Sequence, residues 1–452
     1  MRDVIITAII FGLVPFVLRS PRLGAYVWVW LSMMVPHRLT YGFARTMPFS
    51  YVIALTVLVG FLFSKERKPF PVNGITVTQL LFLFWMTVTS FFAINSPEIV
   101  LDRWVFVFKI HLMILVTFML VRDRKYIDYL IWIIVVSVGF YGVKGGVWTL
   151  LTGGGGRVWG PPGGVIMGNN ELGLALTMLI PLIYYLHQTS VGRWLKIGLA
   201  VSGVAICFAI LGTQSRGALL AIVAMAFVLS VKGGYPVRGT LLISVVLVAA
   251  VVFMPDTWSG RMSTIQTYDQ DASAMSRIYT WKTLWNLALD RPILGGGFAT
   301  DNITIFNKYA PLEGFSQFYG RAVFVAHSIY FQALGEHGFP GLFLYLMLGL
   351  MTWRKAGKLA RETKDDPELM AWVPLMMRMI QVSLIGFAVG GAFLTLVHFD
   401  MPYYIAGIVV EGHEGSLSYV AGAPVLENLH TFLVYTLLTS TGSWDTARAI
   451  TN

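Results

Sequence analysis

The sequence predicts an all-α fold: a polytopic bundle of transmembrane helices with one large extracytoplasmic loop that contains short helices. Three observations predict it. Of the 452 residues, 56% are hydrophobic and only 12% are charged, more apolar surface than a soluble domain of this length can bury. Apolar stretches recur from end to end, each near the roughly 20 residues that cross a hydrocarbon core of about 30 Å. Basic residues gather in short connections between these stretches, where they set topology and meet anionic lipid heads.

In chain order, the spans read Val4–Leu18, Leu23–Val35, Phe49–Phe63, Ile75–Ile94, Trp104–Val121, Tyr126–Leu151 and Glu171–Leu186. They continue with Leu195–Leu211, Ala218–Val231, Leu241–Met254, Phe339–Trp353, Trp372–Val397 and Pro402–Val410. The first two are short enough to be half-spans or a tilted pair, so about 12 crossings are expected. Met1-Arg2-Asp3 leads into the first stretch without a small-residue cleavage site, so that stretch is expected to stay.

Orientation follows from Lys and Arg. The connections Lys65–Lys68, Arg122–Lys125, Arg193 with Lys196, Lys232 with Arg238, and Arg354–Lys364 are read as cytoplasmic. The opposite side then receives Asn95–Arg103, Thr152–Asn170, Thr213–Gly217 and Pro255–Gly338. The last is far longer than the others, and long connections usually carry function. It holds Arg261, Arg277, Arg291 and Arg321, a helical-looking piece over Ser276–Leu289, and a second, amphipathic piece over His327–Glu336. The chain thus divides into N-terminal transmembrane helices at 1–194, a core at 195–353 that includes the loop 255–338, and a cytoplasmic loop with C-terminal transmembrane helices at 354–452.

Several chemistries are excluded or disfavoured. A net charge of +10 is explained by topology-setting loops, so nucleic acid is not an expected partner, whereas membrane lipids are. The single cysteine, Cys207, lies in an apolar run and forms neither an intrachain disulfide nor a thiolate metal site. There is no G-x-x-x-x-G-K-[ST] loop and no H-E-x-x-H pair. Asp269-Gln270-Asp271 could hold a divalent cation, but such a triplet is common in exposed turns, so no metal site and no cofactor are assigned. An extracytoplasmic site has no nucleotide supply, so its substrate should arrive already activated, as a lipid-linked diphosphate sugar does.

Arginine placement carries the strongest signal. Arg157 sits in Gly156-Arg157-Val158-Trp159-Gly160-Pro161, Arg216 in the tight turn Thr213-Gln214-Ser215-Arg216-Gly217, Arg277 in Ser276-Arg277-Ile278-Tyr279-Thr280-Trp281, and Arg291 in Asp290-Arg291-Pro292. All four fall on the outer side in this topology. Ionisable groups beside the hydrocarbon are costly and mark function, and guanidinium forks match diphosphate oxygens. The competing account is snorkelling and loop salt bridges. Histidine is the second signal. His327 and His337 flank a piece that ends in Gly338-Phe339-Pro340-Gly341. Either imidazole could take a proton from an acceptor hydroxyl. Ten residues of helix would part them by roughly 15 Å, too far to serve one proton.

His327-Ser328, nine residues, Gly338, two residues and Gly341 fit the H-[NSQ]-x9-G-x2-[GTY] signature of the O-antigen ligase family. Gln214–Gly217, and Ser276-Arg277 ahead of Trp281, Pro292 and Gly295–Gly297, resemble the same domain over Leu195–Trp353. Pro36–Gly42, Arg157–Pro161 and Asn169-Asn170-Glu171 resemble the exosortase-associated O-glycosylation ligases of the O-antigen ligase/polymerase superfamily. The resemblance implies a C-type, membrane-embedded glycosyltransferase in the bacterial inner membrane with its site facing the periplasm. It implies a glycan donor on undecaprenyl diphosphate, a lipid A–core acceptor, and no essential metal. It assigns the catalytic position to His327, while nearness to the following span favours His337. A polymerase, a ligase acting on protein, and a transporter of lipid-linked glycan remain the alternatives.

Overall fold

The computed structural model describes residues 1–67, 69–232, 272–313, 315, 318, 320, 322–366, 369 and 371–414. The expected span Leu241–Met254, Arg261, Asp269–Asp271, Arg321 and the segment beyond 414 lie outside the described residues. Among the described residues the chain is helical, with no strand. The helices are α1 (Arg2–Arg19), α2 (Pro21–Met33), α3 (Phe49–Phe63), α4 (Gly74–Ser90), α5 (Pro97–Leu120), α6 (Arg124–Thr152), α7 (Asn169–Thr189), α8 (Arg193–Gly212) and α9 (Arg216–Lys232). After them come α10 (Ala272–Asp290), α11 (Ile303–Tyr309), α12 (Ile329–Glu362), α13 (Val373–Gly391) and α14 (Asp400–Glu414).

Among the described residues four helices, α6, α7, α8 and α13, are long and apolar enough to cross a membrane, and α3, α4 and the 216–229 part of α9 are shorter apolar helices. This is a membrane protein by composition and by surface. Phe84, Val201, Val204, Phe227 and Phe343 are among the large apolar side chains that point outward, a pattern suited to lipid and costly in water. Helix α5, of 24 residues, carries Glu98, Asp102, Arg103 and Lys109 toward its start and is largely apolar beyond them, His111 apart.

The centre of the bundle is built from α6 against α8, α7 against α8 and α13, α9 against α13, and α12 against both α4 and α13. Backbones approach closely through glycine. A Cβ on Gly146 would stand 1.9 Å from the Ala205 carbonyl oxygen, so α6 and α8 touch main chain to main chain, as small residues permit in membranes. Residues 272–326 have a core of their own. Tyr279, Leu284 and Leu287 of α10 bury against Ile305, Phe306 and Tyr309 of α11 and against Phe315. The expected helical piece Ser276–Leu289 is thus part of α10.

Several boundaries differ from expectation. The span read as Trp104–Val121 begins already at Pro97, and that read as Ile75–Ile94 ends at Ser90. Two more differ for local reasons. Arg354–Lys364, read as a loop, continues α12 to Glu362; its Lys, Arg, Ala and Glu residues are good helix formers, and Lys358 pairs with Glu362 one turn on at 3.6 Å. The span read as Trp372–Val397 stops as a helix at Gly391, and residues 392–399 fold back across the bundle end, with turn bonds from Phe393 and Leu394 to Gly390 and Gly391.

Helix α12 is broken at Gly338, where φ is 67° and ψ is −172°. The break frees main-chain groups that α10's following turn satisfies. Gly296 and Gly297 donate to the Gly335 and Glu336 carbonyls at 2.8 Å each, and Phe339 donates to the Pro292 carbonyl at 2.9 Å. The Trp85 indole donates to the His337 carbonyl at 2.9 Å. Non-helical backbone in a membrane protein persists only with such partners.

Candidate functional site

One end of the bundle gathers the N-termini of α7, α9 and α12 with the C-termini of α8 and α13. The Asn169 amide at the start of α7 donates to the Thr213 carbonyl at 2.8 Å, and Val158 donates to the Gly212 carbonyl at 3.0 Å. The α8–α9 turn is tight: Gln214 has φ 54° and reaches the Gly154 carbonyl at 3.3 Å. Ser215 is buried and accepts from the Ala218 amide at 3.2 Å, which leaves Arg216 as the first residue of α9. Helix N-termini carry unpaired N–H groups and partial positive charge, so three of them meeting at one end favours an anion.

Helix α10 lies over this end. Its Trp281 stacks on Phe331 of α12, with ring centres 5.4 Å apart and planes at 8°, and donates its indole N–H to the Ala326 carbonyl at 2.9 Å. That bond fixes the residue before His327. His327 itself precedes α12 rather than lying in it, because Ser328 caps the helix by accepting from Phe331. His327 has a left-handed φ of 45°, uncommon for a side chain with a Cβ, and its amide donates to the Thr395 hydroxyl at 2.8 Å. A non-glycine residue held in this region by outside bonds is a common feature of functional sites. The imidazole is half-buried. Burial, and then the nearby Arg277 guanidinium, bring its pKa down to about 4. The same guanidinium acts on the Glu171 carboxylate of α7. Arg277, His327 and Glu171 therefore form one electrostatic group.

The other expected residues lie as follows. Arg157 is exposed, in the 153–168 connection whose Val158 is bonded to the end of α8. Arg291 lies 14 residues along from Arg277, about 20 Å along a helix, and donates to the Phe92 carbonyl at the end of α4 at 2.5 Å. It is not brought into the Arg277–His327 group. His337 is fully buried at the Gly338 break, and its Nδ1 lies 2.7 Å from the Thr89 hydroxyl. Its neighbours are Glu336, with Oε2 at 3.7 Å from Nε2, and the ring of His398.

Sequence reasoning missed Glu171, Trp281 and Thr395 as parts of the first group, and Glu336 and His398 as parts of the second. Glu171 and Trp281 stand inside motifs that were quoted, so a signal existed. Thr395 and His398 lie more than sixty residues from their partners, and no spacing encodes that contact.

Two family models match. Residues 200–346 match one described as O-antigen ligase, and residues 1–191 match one described as a family of unknown function (DUF5935). No curated protein matches the chain. The first match covers Arg216, Arg277, His327, Gly338 and Gly341, the residues that build the bundle end and the α12 break, and is that of a glycosyltransferase-like ligase/polymerase enzyme. Residues 200–346 of this chain thus carry the domain of the O-antigen ligase family.

Proposed function

We propose that the chain is an inner-membrane ligase that moves a glycan from undecaprenyl diphosphate to a sugar hydroxyl of lipid A–core on the periplasmic face. The observation that carries this reading is the placing of His327, held in a left-handed conformation by Thr395, at the bundle end where three helix N-termini meet and where the Arg277 charge reaches it. His327 takes the proton of the acceptor hydroxyl as the oxygen attacks the anomeric carbon. The carbon–oxygen bond to the diphosphate breaks, and the lipid diphosphate leaves. Arg277 and Arg216, with Arg157 from the adjoining connection, hold the diphosphate oxygens and stabilise the charge that grows on them. Attack opposite the leaving group inverts the anomeric centre. No metal or cofactor has a role in this chemistry.

His327 suits the base better than His337 because it is half-exposed and next to the anion-binding groups, whereas His337 is sealed in the interior. Burial, and then the Arg277 charge, leave His327 neutral and a weak base. A bound diphosphate offsets the Arg277 charge and favours the imidazolium, so the donor itself strengthens the base. An apolar cavity of about 370 Å³ starts at Ile329 and Tyr330, two residues after His327, and runs between α12, α13 and α14 past Tyr345, Leu348, Phe387 and Tyr403. Its lining fits an isoprenoid tail, with the diphosphate left at the bundle end.

The test is reconstitution of the purified chain with undecaprenyl-diphosphate glycan and, in separate reactions, lipid A–core, protein or a second glycan unit as acceptor. Transfer to lipid A–core is expected, and His327→Ala and Arg277→Ala should abolish it while His337→Ala is assayed beside them. Transfer to the other acceptors alone would make the chain a protein ligase or a polymerase. Normal transfer by both His327→Ala and Arg277→Ala would refute the mechanism.

A further inference from the structure

Beside the Gly338 break lies a second cluster that the proposed reaction does not use: Glu336, His337 and His398. One ligand atom from each falls within 4.8 Å of the other two. Glu336 Oε2 stands 3.4 Å from His398 Nε2 and 3.7 Å from His337 Nε2. Donors on a tetrahedral zinc with bonds near 2.1 Å stand about 3.4 Å apart, so two of the three edges are close to that size.

The imidazoles are prepared for it. The Thr89 hydroxyl has the Met86 carbonyl as an acceptor for its proton at 3.1 Å, and with the proton placed there it accepts from His337 Nδ1–H at 2.7 Å. This tautomer leaves a lone pair on His337 Nε2, an atom that is buried and without a hydrogen-bond partner. Gln332 orients the carboxylate by donating to Glu336 Oε2 at 3.4 Å, and is itself held by the Val397 amide at 3.1 Å. Such outer bonds are what fix ligands around a metal. Phe298 and Phe82 wall the site on the His337 side, and His398 is the least buried of the three.

We propose that Glu336, His337 and His398 bind one divalent transition-metal ion of the zinc class, and that the ion is structural. It fastens the arm 329–337 to the strap 392–399. That strap carries Thr395, which holds the His327 amide, so the ion sets the position of His327 without touching substrate.

The test uses the full chain in detergent, stripped with chelator, incubated with equimolar zinc chloride, desalted and analysed for metal. About one zinc per chain is expected, with a rise in unfolding temperature on loading. His398→Ala and Glu336→Gln should lose the metal and the thermal response, and Thr89→Val, which frees the His337 tautomer, should weaken zinc binding roughly 10–100-fold. A folded wild-type chain that retains no zinc, or a His398→Ala chain that retains as much as wild type, would overturn the proposal.

Discussion

Gly338→Ala tests the interlock between α12 and the turn after α10. At φ 67° and ψ −172° this position lies in a region that residues with a Cβ essentially do not enter, which costs about 1–3 kcal/mol. The added Cβ would also sit 2.4 Å from the Ile293 carbonyl oxygen and 2.7 Å from that of Pro292. Both are main-chain atoms, so neither can rotate away. Relief requires moving 292–297 and parting the Phe339–Pro292 bond, which adds about 1–3 kcal/mol for a buried group left unpaired. Together the loss is on the order of 2–6 kcal/mol. Gly349→Ala is the control. It lies in the same helix with nothing within 4 Å of its Cβ, and should gain up to about 1 kcal/mol of helix propensity. Thermal unfolding of both purified variants, followed by loss of the monodisperse species in detergent, measures the difference. Unfolding of Gly338→Ala within about 1 °C of wild type would refute the reasoning.

The acid limb of the transfer reaction should depend on the donor. For the free enzyme, seen in kcat/KM, it should lie near the His327 value of about 4, and for the donor-bound enzyme, seen in kcat, it should lie higher; identical limbs would remove the diphosphate–imidazole coupling. Because the folded value of about 4 is below the ordinary 6.5, the unfolded chain binds more protons between these pH values, so His327 makes the fold lose stability as pH falls through that window. His327→Gln should flatten this dependence in a pH series of unfolding temperatures. Trp281→Phe keeps a ring against Phe331 and loses the bond to Ala326, so transfer should fall between about 2- and 10-fold; Trp281→Ala should fall further, and wild-type rates for both would dismiss Trp281 as a positioning residue. Gly146→Ala forces a Cβ against the Ala205 carbonyl and should destabilise α6–α8 packing by about 1–3 kcal/mol, whereas Gly198→Ala, in mid-helix with nothing within 4 Å, should gain up to about 1 kcal/mol, as Gly349→Ala does.

Hydropathy and short-range pattern account for much of the architecture. The Phe49–Phe63 reading matches α3 end for end, and Glu171–Leu186 and Leu195–Leu211 lie inside α7 and α8. These are local consequences of composition: an apolar run of helical length must satisfy its own backbone, and lipid leaves no alternative. The glycine-rich motifs were also legible, since His327-Ser328 and Gly338 stand at fixed spacing and the Gly295–Gly297 run is contiguous. What linear spacing could not show is that these two glycine segments bind each other, Gly296 to Gly335 and Gly297 to Glu336.

Sequence by itself determined a helical membrane protein, the family signature and the residue types available for holding an anion. Tertiary structure alone decided their grouping. It brought the Arg277 charge within electrostatic reach of both His327 and Glu171 and left Arg291 tied to Phe92. It also carried His398 across sixty-two positions to Glu336. The physical reason is range. Helix formation and membrane partition are sums over neighbouring residues, whereas a site depends on which helix ends meet, and that follows from close packing between surfaces distant in the chain.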